Sequence, residues 1–359
     1  VGWRAVFIIN VPFILGAGLA AWRWIDESRD PEASGRFDWL GAAVAVLAVG
    51  GLAVGAIRGQ EEQWQQPAPF VVLLGGAAAA VAFPFLMARR PRPLVPLGLF
   101  RDRAFATINL STLLIYGAFY ASFLFHALFL QGTLGYTPLA AAIVGLPTGV
   151  LLALLSTKVG TIAGRIGARP FLVAGPGIMA AAQLWWLRVP PSSPAWHAAL
   201  SDPATLVPPP EVFVDPLPAT LGFGLGMALL VAPLTTTVMS AVPITNVGIG
   251  SAINNAVSRV SQPLVAAAIF LLVSGAFYAA LAAAMPGTDP GSPELRAAFQ
   301  PLNPPPAGTP AELVTATRAA STEAFHLAAV VMASLCGAGA VVNAIGLRPR
   351  APAERPAGG

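Results

Sequence analysis

The chain has 359 residues, of which 56% are hydrophobic and 10% charged, against about 25% charged in an ordinary soluble domain, and its mean hydropathy is +0.70. Its formal charge of +4 comes from twenty Lys and Arg residues scattered between apolar runs, which excludes the continuous basic stripe of a nucleic-acid surface. A single cysteine, Cys336, and three widely separated histidines, His126, His197 and His326, exclude an internal disulfide framework and the paired spacing of a metal site.

Apolar stretches of the length needed to cross a hydrocarbon core of about 30 Å predict nine spans. In chain order they cover residues 5–22, 39–57, 70–88, 104–130, 138–157, 170–187, 217–241, 252–283 and 324–347. Asp38 is placed to cap the second span, and Thr322 with Glu323 to cap the last. Asp215, before Pro216, reads as another cap. Two long connections, residues 189–216 and 286–322, are rich in Pro, Gly and Ala; their triple prolines at 208–210 and 304–306 predict extended, locally stiff covers without a packed core. The chain opens on Val1-Gly2-Trp3-Arg4 directly before an apolar span, without the charged region or cleavage site of a signal peptide. That start reads as a truncation, with sequence expected upstream.

Basic residues set the expected orientation, because Lys and Arg in short loops stay cytoplasmic. Alternate loops hold Arg23, Arg29 and Arg36; Arg89, Arg90, Arg92, Arg101 and Arg103; Lys158, Arg165 and Arg169; and Arg348, Arg350 and Arg355, fourteen of the twenty. This predicts Val1 outside and Gly359 in the cytoplasm.

Within the spans, polar residues mark candidate functional positions. Ser251, Asn255, Ser258 or Arg259, and Gln262 recur at helical spacing, and such a stripe is expected to face the bundle interior or a watery cavity. Asn254, Asn255, Arg259 and Gln262, together with Gln131, are the candidate lining of a substrate pathway; Arg259 alternatively snorkels at the boundary. His126 sits in an apolar segment, where its ordinary pKa of about 6.5 suits a proton carrier, or it is a hydrogen-bonded packing residue. His326 reads as an interfacial cap. Trp185 and Trp186 read as an aromatic belt at a span end. Phe119, Tyr120, Phe123 and Phe125 fit either a greasy ligand wall or helix packing, and Glu61 and Glu62 fit a solvated outer loop. The chain carries no Gly-rich, Lys-Ser/Thr phosphate loop and no Ser, His and acid arrangement of a hydrolase; neither a nucleotide, a cofactor nor a metal is expected, and the chain does not read as an enzyme.

The segment Gly160-Thr161-Ile162-Ala163-Gly164-Arg165-Ile166-Gly167-Ala168-Arg169-Pro170 resembles the signature loop of the major facilitator superfamily, in its second copy. Gly160, Arg165, Gly167 and Arg169 match a cytoplasmic gating loop, but Gly164 stands where the family carries an acid. Further motifs resemble, in order, the fourteen-spanner drug:proton antiporters of the QacA and EmrB type. They are Gly2-Trp3-Arg4 with Ile9-Asn10-Val11-Pro12; Phe37-Asp38-Trp39-Leu40-Gly41; Leu130-Gln131 with Gly135-Tyr136-Thr137-Pro138; and Gly145-Leu146-Pro147. Gly222-Phe223-Gly224-Leu225-Gly226, Pro233-Leu234-Thr235, Val242-Pro243 and the run from Gly250 to Arg259 follow.

The resemblance implies an all-α, polytopic transmembrane bundle of about nine helices, lacking roughly the first five of the family. It divides the chain into residues 1–25, the last helix of an N-terminal domain; 26–103, two central extra helices and a linker; 104–347, a six-helix transport domain; and 348–359, a cytoplasmic tail. The implied activity is proton-coupled efflux of lipophilic small molecules or drugs across the bacterial cytoplasmic membrane, with substrate, protons and the bilayer as partners. An uptake or facilitated-diffusion carrier and a non-transporting remnant are the alternatives.

Overall fold

The computed structural model describes residues 4–24, 38–62, 64–91, 93–285, 289 and 291–348. Gly2, Trp3, Phe37, Arg29, Arg36, Arg92, Arg350 and Arg355, all used above, lie outside the described residues. The chain divides into a unit of residues 1–37 and a unit of residues 38–359.

In the first unit the expected span is two pieces, α1 (Arg4–Ile8) and α2 (Asn10–Trp24), separated at Ile9. Pro12 accounts for the break, because its ring nitrogen has no hydrogen to give the carbonyl of Ile8. Neither piece alone is long enough to cross a bilayer. Among the described residues eight helices are long and apolar enough to do so, matching the other eight expected spans.

The second unit begins with the hairpin α3 (Trp39–Glu61) and α4 (Pro67–Arg89). Asp38 caps α3 as expected, its carboxylate accepting from the Gly41 N–H at 2.9 Å. Six long helices follow: α5 (Arg103–Leu128), α6 (Pro138–Ile166), α7 (Arg169–Trp185), α9 (Pro216–Ser240), α10 (Val247–Ala284) and α12 (Ala311–Gly346). The short helices α8 (Pro210–Val214) and α11 (Pro293–Ala298) lie in the two long connections. A π turn, Phe129–Thr133, extends α5. α5 packs on α10 and α12, α7 on α9 and α12, and α6 on α9, while α3 leans on α10.

Lipid is the solvent of the outer surface: Leu74, Val81 and Leu154 are each about two-thirds exposed on their helices, which water would penalise and hydrocarbon does not. Together with the eight long apolar helices, this makes the chain a multi-pass membrane protein. Association between such helices depends on small residues that let backbones approach. α7 and α9 meet at Gly175 and Gly226, where a methyl built on either would lie 2.6–2.8 Å from the other's carbonyl oxygen. α12 turns Ala324, Ala328, Ala333, Gly339 and Ala340 inward in the same way.

The helix ends differ from expectation at several points. α6 runs to Ile166, so Gly160 and Arg165 stand on its last turns, and only Gly167, with φ of +96°, makes the turn. α12 starts at Ala311, which puts Thr322, Glu323 and His326 inside it. Thr322 donates to the Arg318 carbonyl one turn back, at 2.8 Å, and His326 bonds the Val189 carbonyl through Nε2 at 3.1 Å instead of capping. Asp215 stands at the start of α9 but makes no capping bond, since its own backbone is already helical.

Residues 189–215 are a folded cover rather than an extended one. Val189, Trp196, Ala198 and Val212 are buried in the core. Thr137, the cap of α6, donates its N–H to the Trp196 carbonyl at 3.0 Å and its hydroxyl to that of Ala198 at 2.9 Å. Beneath this cover burial, with Asp215 and Glu211 nearby, pushes the Tyr136 phenol up to about 12.

The α7–α9 contact is testable. Gly226→Val overpacks it and is expected to cost about 1–3 kcal/mol, read as a lower thermal midpoint in detergent. Gly177→Ala, whose methyl would meet nothing within 4 Å, leaves the midpoint unchanged or higher.

Candidate functional site

Residues 119, 122, 123 and 126 fall at the i, i+3, i+4, i+7 spacing of one helix face, and on α5 that face is Phe119, Ser122, Phe123 and His126. It forms one wall of a cavity of about 740 Å³; α6 supplies Pro138 to Ala153 as a second wall, and α9 contributes Thr220, Phe223 and Met227. Trp186, in the 3-10 turn after α7, lies against His126 with ring centroids 4.5 Å apart and planes at 30°. Phe119 stacks parallel to Phe223 at 6.1 Å and meets Phe123 edge-on at 4.9 Å. The Thr148 hydroxyl donates to the Thr220 carbonyl at 3.1 Å and ties α6 to α9 beside the cavity.

A buried chain of hydrogen bonds runs behind the wall. His126 Nε2 lies 3.0 Å from Gln183 Oε1. An amide oxygen only accepts, so the imidazole carries its hydrogen on Nε2. The Gln183 amide nitrogen donates to the Ser122 hydroxyl, which donates to the Ala118 carbonyl at 2.7 Å, one turn back. Gln183 is fully buried and Ser122 nearly so. An amide in such a place must find partners. Here it locks both the ring orientation and the tautomer of His126, leaving Nδ1 as the acceptor.

Of the residues singled out in the sequence, His126 and Gln131 come together on this cavity. Phe119 and Phe123 line it, whereas Phe125 is core. Trp186 is buried against His126 instead of standing in a belt, and the Trp185 indole donates to the Val214 carbonyl at 3.0 Å. The polar stripe on α10 splits. Asn254 donates to Thr112 Oγ1 at 2.9 Å and Asn109 Oδ1 at 3.3 Å, joining α10 to α5. Asn255, Arg259 and Gln262 are exposed and do not line the cavity.

The gating segment stands elsewhere. Gly167 and Arg169 line a second cavity, of about 790 Å³, at the ends of α6, α7, α9 and α12. Arg169 donates to the Ala344 carbonyl at 2.7 Å, anchoring the last turn of α12. Gly160 packs near Ala232, and Arg165 is exposed on α6.

Gln183 and Ser122 escaped the sequence reading, which held Trp186 only as part of an aromatic belt and Phe223 only within a glycine motif. A lone glutamine within the apolar run 170–187 was the available signal for Gln183. The partner relation of Ser122 is tertiary and has no sequence signal.

Gln183→Leu is expected to strand the His126 N–H and cost about 1–3 kcal/mol in unfolding experiments in detergent. Adding His126→Phe to it should recover part of that loss, because the unpaired group is removed as well. Purely additive effects would show that the two side chains are not coupled.

Residues 1–266 match the Major Facilitator Superfamily. The chain is 30% identical over 258 residues to the multidrug resistance protein Stp of Mycobacterium tuberculosis, covering 71% of this chain and 44% of that protein. It is 26% identical over 203 residues to the methylenomycin A resistance protein of Bacillus subtilis, 55% of this chain and 42% of the relative. With the multidrug export protein EmrB of Escherichia coli K12 the identity is 25% over 254 residues, 70% and 46% of the two chains. The chain thus spans less than half the length of these relatives.

Proposed function

We propose that this chain, which belongs to the Major Facilitator Superfamily, is part of a secondary transporter that exports lipophilic small molecules across the bacterial cytoplasmic membrane in exchange for protons. The observation that carries this reading is the cavity of about 740 Å³ walled by Phe119, Phe123, Trp186, Phe223 and Met227. Its size falls in the range of about 300–1,000 Å³ usual for drug-sized ligands. Its surface offers large apolar area, with a few polar groups to orient a guest. The names of Stp and EmrB, as multidrug resistance and export proteins, support the same class of cargo.

In this reading His126 is the titratable group on the cavity wall and the candidate proton carrier, and Gln131 is a polar contact for the substrate. Asn255, Arg259 and Gln262 form an exposed polar face of α10, suited to a second half of the pathway. Residues 104–347 form the transport domain, α3 and α4 are the two extra central helices, and residues 1–25 belong to an N-terminal domain, with residues 348–359 as a tail. Gly359 lies in the cytoplasm and Val1 outside, following the alternation of basic loops. Gly167 and Arg169 then mark the cytoplasmic end, where movement of α7 against α12 would open or close access.

Dye retention in cells expressing the complete gene tests the proposal. Such cells are expected to retain less of a lipophilic fluorescent dye than cells without the gene, and a protonophore should abolish the difference. Retention unaffected by the protonophore would remove the antiport reading. Trp186→Ala and Phe223→Ala, at equal protein amounts, should weaken export about tenfold through lost aromatic contact; export at the unaltered rate would remove this cavity as the site.

A further inference from the structure

We infer that the second cavity is a binding site for a phosphate group, either of an anionic phospholipid or of a free phosphate. The cavity, of about 790 Å³, is lined by Arg101, Arg103, Arg169 and Arg348, and its one acidic residue is Asp102. The Asp102 carboxylate is engaged as the cap of α5, accepting from the Phe105 N–H at 2.8 Å. Four guanidinium groups therefore share one concave space with a single carboxylate, which leaves a surplus of positive charge.

The arginines are only partly used by the fold. Arg103 and Arg169 each give one N–H to the end of α12, to the Ile345 and Ala344 carbonyls, both at 2.7 Å. These bonds satisfy carbonyls that the helix leaves open. The C-terminal ends of α6, α9 and α12 and the N-terminal ends of α5 and α7 meet at this cavity; at about half a charge per end they leave roughly half a negative charge, well short of the surplus on the arginines. The Arg169 Nε–H is buried and has no partner. The side chains of Arg101 and Arg348 make no hydrogen bond or ion pair with any described residue.

A buried unpaired N–H on a charged fork is costly, and a phosphate group can accept paired hydrogen bonds from several guanidinium groups at once. The cavity size admits a whole phospholipid headgroup. It lies at the end of helices whose outer faces are lipid-exposed, where a headgroup would be at hand.

Thermal unfolding of the full chain purified in an uncharged detergent tests this. Phosphatidylglycerol, inorganic phosphate and phosphatidylcholine are titrated separately at ionic strength matched with sodium chloride. A saturable rise of the midpoint with phosphatidylglycerol alone supports the site and assigns it to a lipid headgroup; a rise with inorganic phosphate that competes with the lipid supports it and assigns a free phosphate. Arg101→Gln with Arg348→Gln removes two donors that the fold does not use, and is expected to weaken the response about tenfold while leaving the ligand-free midpoint unchanged. No response to either phosphate, an equal response to phosphatidylcholine, or an undiminished response in the double variant would overturn the inference.

Discussion

Helices surrounded by hydrocarbon gain little by burying leucine against leucine, because lipid tails are equally apolar. What joins them is close backbone approach and the few polar groups that cannot face lipid. Both devices are visible in this bundle. Gly175 against Gly226 sets the distance between α7 and α9. The alanine and glycine face of α12 lets that helix sit against α5 and α7 together. A larger residue at these points would push the helices apart, with only a few polar contacts to restore the approach.

The second device fixes orientation. Asn254 ties α10 to α5 through Asn109 and Thr112, Asn343 ties α12 to α7 by donating to the Leu172 carbonyl at 2.7 Å, and Gln183 ties α7 to α5 through Ser122 and His126. Each bridge consists of an amide that crosses a helix interface and would be stranded if the helix rotated. The aromatic cavity and the basic cavity both lie against elements held in this way, so their walls are set by rotation-locking contacts rather than by the walls themselves.

Much of the architecture was legible in the sequence, because the signal that marks a span is its length of uninterrupted apolar residues, a local property. Asp38 as a cap was equally local. The helix ends beyond the membrane were not: α6 continues nine residues past the expected limit and α12 begins thirteen before it, since polar residues such as Glu312, Thr315 and Arg318 continue a helix in water as readily as a loop. The stripe on α10 was the harder case. Spacing correctly grouped Asn255, Arg259 and Gln262 on one face, but spacing alone does not say which neighbour that face meets. The bridge residue turned out to be Asn254, one position away.

The widened turn Phe129–Thr133 alters the arithmetic of the chain around it. Five residues of ordinary helix separate side chains by roughly 140° in projection, which would send Gln131 well away from the direction of His126. A turn with i→i+5 bonding advances less per residue, and both side chains reach the same cavity. The angular bookkeeping of that cavity's rim is thus written in one extra residue of backbone, so an ordinary turn in its place would swing Gln131 away from the cavity while the α5 wall up to His126 kept its direction.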